Sequence, residues 1–209
     1  MPDGVADQLA DDEFGGHDQV RQAPPGEPIA DQGACAARRG RAAPAPGRPP
    51  SRLLGGELDL LLIESWANRP LAVPEGVTLR TVVSEEVYVA VSEGHPLADR
   101  GAADLAGLAV TAWACCPPGT EPYEALVQAL RARGIEPDIR YSVAEHLTQL
   151  ALVARGLTAA LIPAMSRHPA PPGVRFLPAR PALRRDIRAA WLTRTQSPPV
   201  RACLAAIGT

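Results

Sequence analysis

VAEHLTQLALVARGLTAALIP, residues 143–163, is the stretch on which the fold turns. Leu147, Leu150, Ala151 and Ala154 recur at helical spacing and predict one apolar helix face. Ser142 is placed to cap its start, because a serine hydroxyl accepts a bond from a free first-turn N–H. Gly156 falls where a helix ends on a left-handed residue. Residues 157–162 then form a short apolar run, as in a strand buried on both faces, and Pro163 closes it. The unit is therefore helix, glycine stop and inner strand. Many α/β proteins contain such a unit, so it speaks to fold and not to function.

Working outward, residues 58–63 are an apolar run broken only by Asp59, which reads as an inner parallel strand. Glu64, Ser65 and Trp66 follow it, and strand ends of an open α/β sheet face the ligand crevice. The plainer alternative is a solvated loop with one amphipathic Trp. Residues 77–82 and 86–91 are rich in β-branched side chains and predict two further strands. Residues 104–107 suggest a short helix, 108–112 a strand, and 113–118 the loop at its end. A helix with Pro122 in its first turn follows, capped by Thr120 or Glu121. It buries Leu126, Val127 and Leu130 and stops at Gly134. Residues 138–143, 174–177 and 187–193 read as strands. Pro198 and Pro199 open a last helix with Val200, Cys203, Leu204 and Ile207 inward. His95-Pro96 reads as a turn without chemistry. Arg184, Arg185 and Arg188 read as a solvated basic edge.

Composition narrows the function. The formal net charge of the 209-residue chain is −2, which leaves no basic footprint for nucleic acid. All 21 basic residues are Arg, and Ala, Pro and Gly abound, as GC-rich coding would give. The four Cys, at 35, 115, 116 and 203, lack metal-ligand spacing, and adjacent Cys115 and Cys116 read as small buried residues. No apolar run is long enough for a membrane span, and no signal peptide is visible, so the expected compartment is the cytoplasm. Residues 1–50 hold eight Pro and end in RRGRAAPAPGRPP. They read as a disordered, low-complexity tail, or as non-native sequence joined to a genuine C-terminal part. No GxSxG, HExxH, P-loop or helix-opening GxGxxG occurs, so no catalytic residue, metal site or cofactor is assigned.

Four motifs add a resemblance. LALVARGLTAALIP (150–163) resembles the "lVaaGlGialLP" stretch in the effector-binding domain of LysR-type transcriptional regulators. Upstream, GGELDLLLI (55–63) looks like that family's "GelDlai", and YVAVSEGHPLADRGAADLAGLAV (88–110) like its strand, "HPLa" turn and "dLagl". Downstream, residues 173–207 look like its closing strands and last helix. The resemblance spans about residues 52–208; Thr158 stands where the family has a second Gly. It implies an α/β, two-lobed fold like that of periplasmic binding proteins, with lobe one (51–83 and 164–209) incomplete and lobe two over 84–163. The family's winged helix-turn-helix is not visible here. A sheet short of its first strands is expected to leave an apolar edge exposed.

The resemblance also implies a small-molecule effector between the lobes. Carried over by position, its contacts are Glu64 and Ser65 on lobe one. On lobe two they are Trp113, Ala114 and Cys115 after a strand, Glu145, His146 and Thr148 at a helix start, and Pro163 at the return crossover. A helix N-terminus suits a carboxylate or other anion, so an anionic effector is admitted. Self-association, or dimerisation with a related regulator, is the expected protein contact, and DNA is reached only through the absent module. A stand-alone solute-binding module and an enzyme on the same fold are the alternatives; the latter needs convergent acid–base residues that the sequence does not offer.

Overall fold

The computed structural model describes residues 35–38, 49–194 and 197–207; most of the lead-in 1–50 lies outside them. Chain order is β1 (Cys35–Arg38), α1 (Pro49–Leu54), β2 (Leu58–Trp66), β3 (Val77–Ser92), β4 (Ala103–Asp104), β5 (Ala112–Cys115), α2 (Glu121–Arg131), β6 (Asp138–Ser142), α3 (His146–Ala154), β7 (Ala160–Pro163), β8 (Val174–Leu192) and α4 (Pro198–Ala206). Short 3-10 turns occupy Leu105–Leu108 and Ala164–Ser166. No helix among the described residues is long and apolar enough to cross a membrane.

Two strands organise everything else. β3 runs 16 residues and β8 runs 19, and they pair antiparallel along most of their length. What reads in sequence as four short strands is thus two long ones. The ladder is irregular between Thr81 and Val83 and again between Val87 and Tyr88. At the second irregularity Ala179 and Arg180 turn to pair with β4 instead. Such breaks bend a strand without ending it. β2 lies on the other edge of β8, and β1 on the outer edge of β2. β2 is therefore an inner strand, as its apolar run suggests. Its neighbours run antiparallel, however, and β1 covers the edge expected to be bare.

Two halves form around these strands. One contains β2 and the ends of β3 and β8 near Val77 and Leu192. Leu53, Leu58, Leu61, Ile63 and Ala190 pack on one sheet face, and Leu60, Ala189, Trp191, Val200 and Leu204 on the other. The other half holds β4 to β7 with α2 and α3. Its core joins Leu105, Leu108, Trp113, Leu126 and Leu130 to Val87, Val89, Val91 and Leu161. Leu150, Val153, Ala160 and Ile162 cover the opposite face. The halves touch beyond the shared strands: Trp66 belongs to the second core, Asn68 Nδ2 donates to the Ala125 carbonyl at 2.9 Å, and Arg69 pairs with Glu121 at 2.6 Å.

Several local expectations shift. α3 begins after Glu145, not Ser142, and it buries Gln149, Leu150 and Val153. Leu147 is 59% exposed, so the apolar face lies one position over from the reading by spacing. The strand expected at 108–112 instead runs Ala112–Cys115, into the expected loop 113–118; Leu105–Leu108 is a 3-10 turn that Asp104 caps by accepting from the Ala106 N–H at 3.0 Å. Cys203 is exposed on α4, whereas Cys115 and Cys116 are buried free thiols. Gly156 sits at φ +70°, and an added Cβ there would meet only Ser92 Oγ, at an ordinary 3.7 Å. Gly156→Ala is therefore expected to cost about 1–2 kcal/mol from backbone strain alone, read as a lower urea midpoint with unchanged slope.

Candidate functional site

Cross-strand register gathers a buried ionic cluster where the two halves meet. Arg185 on β8 lies opposite Trp66 on β2 and opposite Glu85 on β3. Directly opposed side chains share a sheet face. Glu64, two residues from Trp66, is on that same face. Arg185 Nε donates to Glu85 Oε1 at 2.7 Å, and Nη1 donates to Glu64 Oε1. The side chains are 6% exposed for Arg185, 5% for Glu85 and 14% for Glu64. The free carboxylate oxygens are also engaged. Glu64 Oε2 accepts from Trp66 Nε1 at 3.2 Å, and Glu85 Oε2 from the Met165 N–H at 2.7 Å. One guanidinium thus joins a carboxylate of the first half to one bound to the return turn of the second.

Further polar groups come from the second half. His146, first residue of α3, shares a 2.8 Å hydrogen bond between Nδ1 and Ser166 Oγ. Cys116 follows β5, its Sγ 3.7 Å from the Ala144 carbonyl. Gln149 is buried beside it and donates through Nε2 to the Val143 carbonyl at 2.6 Å. Burial first, and then Arg185, depress the His146 imidazole to about 4, partly opposed by Glu85. Burial pushes the Cys116 thiol up to about 11, aided by Glu64, with Arg185 and Glu145 also felt. The charges of Arg185 and Glu85 thus reach His146, and those of Glu64, Arg185 and Glu145 reach Cys116.

Of the residues singled out by position, Glu64, Glu145 and His146 meet here. Ser65 does not join them: strand alternation turns it to the other face, where its Oγ accepts from the Leu71 N–H at 3.3 Å. Trp113 is fully buried in the core of the second half, with Ala114 and Cys115 buried beside it on β5. Burial raises the Cys115 thiol to about 12, and the thiol that feels the Glu64 and Arg185 charges is that of its neighbour Cys116. Thr148 is exposed on α3. Pro163 ends β7 opposite Val87 and leads into the turn that carries Met165 and Ser166. Sequence reading missed Glu85, Arg185, Cys116 and Ser166. The one available signal was the pair of acidic residues Glu85 and Glu86 interrupting an apolar strand pattern. The supposed basic edge also divides. Arg185 is buried inward, Arg188 pairs with Asp186 at 2.7 Å, and Arg184 is exposed.

His146 gives the fold a pH dependence of known sign. Between its ordinary value of 6.5 and about 4, the unfolded chain takes up a proton that the folded chain refuses. Stability contributed by the neutral imidazole is thus complete above the upper value and falls as pH drops through this window. By pH 5 the loss should be about 2 kcal/mol. His146→Gln should lack this component, as urea unfolding of both proteins at neutral pH and at pH 5 will show.

Comparison with known proteins gives concordant results. The family model described as the LysR substrate binding domain matches residues 45–209. The Small neutral protease regulatory protein of Streptomyces coelicolor is 32% identical over 100 residues, which are 47% of this chain but only 31% of that protein. The chain thus matches less than a third of that relative's length. The regulatory domain of CcmR from Synechocystis PCC6803, solved in complex with 2-PG, has a TM-score of 0.64 at 16% identity, covering 75% of each chain. The effector binding domain of QuiR, solved in complex with shikimate, has a TM-score of 0.61 at 22% identity, covering 78% of this chain and 77% of that one. At these identities the likeness concerns the fold, a two-lobed α/β effector domain.

Proposed function

Because this chain belongs to the family of LysR substrate-binding domains, we propose that its inter-lobe crevice holds a small-molecule effector and that occupancy controls transcription. The lobes are taken as 51–83 with 164–209, and 84–163. The observation that carries the reading is the Glu64–Arg185–Glu85 relay. It draws on β2, β8 and β3, and it ends on the backbone of the turn bearing Ser166. A molecule in contact with it touches both lobes at once. Differential contacts of this kind are what shift a two-state arrangement. The rearrangement would be transmitted by self-association to a DNA-binding partner module, in the cytoplasm. No reaction is assigned: the groups at the crevice are engaged with one another, and Cys116 is held as a thiol, far from the thiolate a nucleophile requires.

The test is a small-molecule screen read by melting temperature, since a ligand that binds only the folded chain raises it in proportion to occupancy. Stabilisation should disappear in Ser166→Trp, which fills the crevice, and survive in Val110→Ser, which alters an outer residue 95% exposed. A stabilising compound whose effect persists in Ser166→Trp would place the site elsewhere and sink the reading.

A further inference from the structure

We propose that Asn68 and Arg69 form a clasp that holds the two halves of the protein at one angle, and that the halves turn about a two-strand waist when the clasp opens. The waist follows from register. β2 pairs with β8 as far as Trp66, opposite Arg185, and β7 joins β3 only from Val87 onward. Between these limits, at Glu86 and Arg184, the ladder among the described residues consists of β3 and β8 alone. Both residues are exposed. The chain crosses between the halves along these same two strands. A two-stranded ribbon twists more readily than a wider sheet, so the waist by itself does not fix an angle.

The clasp is the segment that follows β2. Ala67 N–H donates to the Arg184 carbonyl at 2.9 Å, at the waist itself. The next two residues reach past it to α2. Asn68 Nδ2 donates to the Ala125 carbonyl at 2.9 Å, and Arg69 Nη1 to Glu121 Oε2 at 2.6 Å. Glu121 and Ala125 lie about one turn apart, so both grips fall on one face of the helix. Trp66, buried in the core of the second half, supplies an apolar pivot. A further polar bridge, from the Met165 N–H to Glu85 Oε2, adjoins the waist and so has little leverage on the angle. Two observations make the clasp able to open. The Arg69 and Glu121 side chains are 41% and 30% exposed, and an ion pair so accessible to water is weak. Asn68 Oδ1 is buried with no hydrogen-bond partner among the described residues, a cost that opening to water relieves. The clasp therefore sets an angle without sealing it, whether or not a molecule occupies the crevice.

Nitroxide labels on Cys203, exposed on α4 in the first half, and on Asp99→Cys, an exposed position of the second, report the angle as a distance by dipolar spectroscopy on the whole chain. Cys35→Ser removes a competing thiol, and Cys115 and Cys116 are protected by burial. The labelled protein should show one narrow distance distribution. Adding Asn68→Ala and Arg69→Ala should broaden it by about 2-fold or more, as release into several arrangements requires. Arg131→Ala, which breaks the exposed Arg131–Glu136 pair inside the second half, should leave it unchanged. Arg69→Glu should also broaden the distribution, and adding Glu121→Arg should narrow it again, a rescue that loss of fold cannot imitate. An unchanged distribution in the Asn68→Ala, Arg69→Ala variant would overturn the clasp, as would one already broad in the labelled parent. Should that variant fail to fold, the charge reversal decides: a distribution that stays broad on adding Glu121→Arg removes the ion pair from any role in setting the angle, and the proposal with it.

Discussion

Arg185→Met is expected to lower stability by about 3–5 kcal/mol, because it leaves two buried carboxylates without their shared partner. The size of the effect comes less from the ion pairs themselves than from the charges stranded by their loss. Exposed pairs in the same chain, such as Arg131 with Glu136 at 2.7 Å, contribute little by comparison. Stranding makes a second, sharper prediction within the same experiment. If the penalty is uncompensated charge, Glu64→Gln and Glu85→Gln added to Arg185→Met should recover a large part of it, so the three changes are strongly non-additive. Urea denaturation of the single and triple variants measures both quantities. A loss under about 1 kcal/mol for Arg185→Met, or additive losses in the triple variant, would mean that the relay is solvated.

Trp113→Ala should be comparably damaging, at about 3–5 kcal/mol, and for a different reason. The side chain is fully buried among Leu105, Leu108, Leu126 and Leu130, and its removal leaves a cavity. Its indole Nε1 has no hydrogen-bond partner among the described residues. Trp113→Phe, which deletes that orphaned donor together with some volume, should therefore cost much less than truncation. The pair also decides between core and crevice. A core residue lowers the melting temperature and leaves the affinity of a crevice ligand unchanged, whereas a crevice residue does the reverse. Loss of ligand affinity in Trp113→Phe with an unaltered melt would restore Trp113 to the binding surface.

Particular residues explain what the sequence could and could not convey. The faces of α2, the stop at Gly134, the left-handed Gly156 and the inner run of β7 are local properties. Each follows from spacing or backbone freedom within one element, so each was legible. The continuity of β3 and β8 was not. Ser84, Glu85 and Glu86 in one, and 178–182 in the other, look like turn sequence because they interrupt an apolar pattern. In fact Ser84, Glu85 and Glu86 pair in register with Asp186, Arg185 and Arg184, between the two irregularities, and the β8 residues between Pro178 and Leu183 leave the β3 ladder without ending the strand. The direction of β2's neighbours was equally hidden, since an apolar run buried on both faces reads the same beside parallel or antiparallel partners. Arg185 shows the deepest limit. It stands in a basic cluster, where exposure is the natural reading, and what buries it are carboxylates 100 and 121 positions away in the chain. Strand alternation accounts for the remaining displacements. Glu64 joins Arg185 while Ser65 faces away, and a one-residue difference in register decides which.

The pairing of β2 with β8 has a consequence for how the protein is made. β2 is complete once residue 66 leaves the ribosome, yet the strand that flanks its inner edge ends at Leu192. Throughout that interval Leu60 lacks Ala189 and Trp191, and Leu61 and Ile63 lack Ala190, the β8 residues of their clusters. The half enclosed between these strands has nearly all its residues available first and can begin to pack earlier. Synthesis therefore imposes an order, in which the part of the protein encoded early is finished last. During that delay an apolar strand with an unpaired edge is a natural target for a chaperone or for a neighbouring nascent chain.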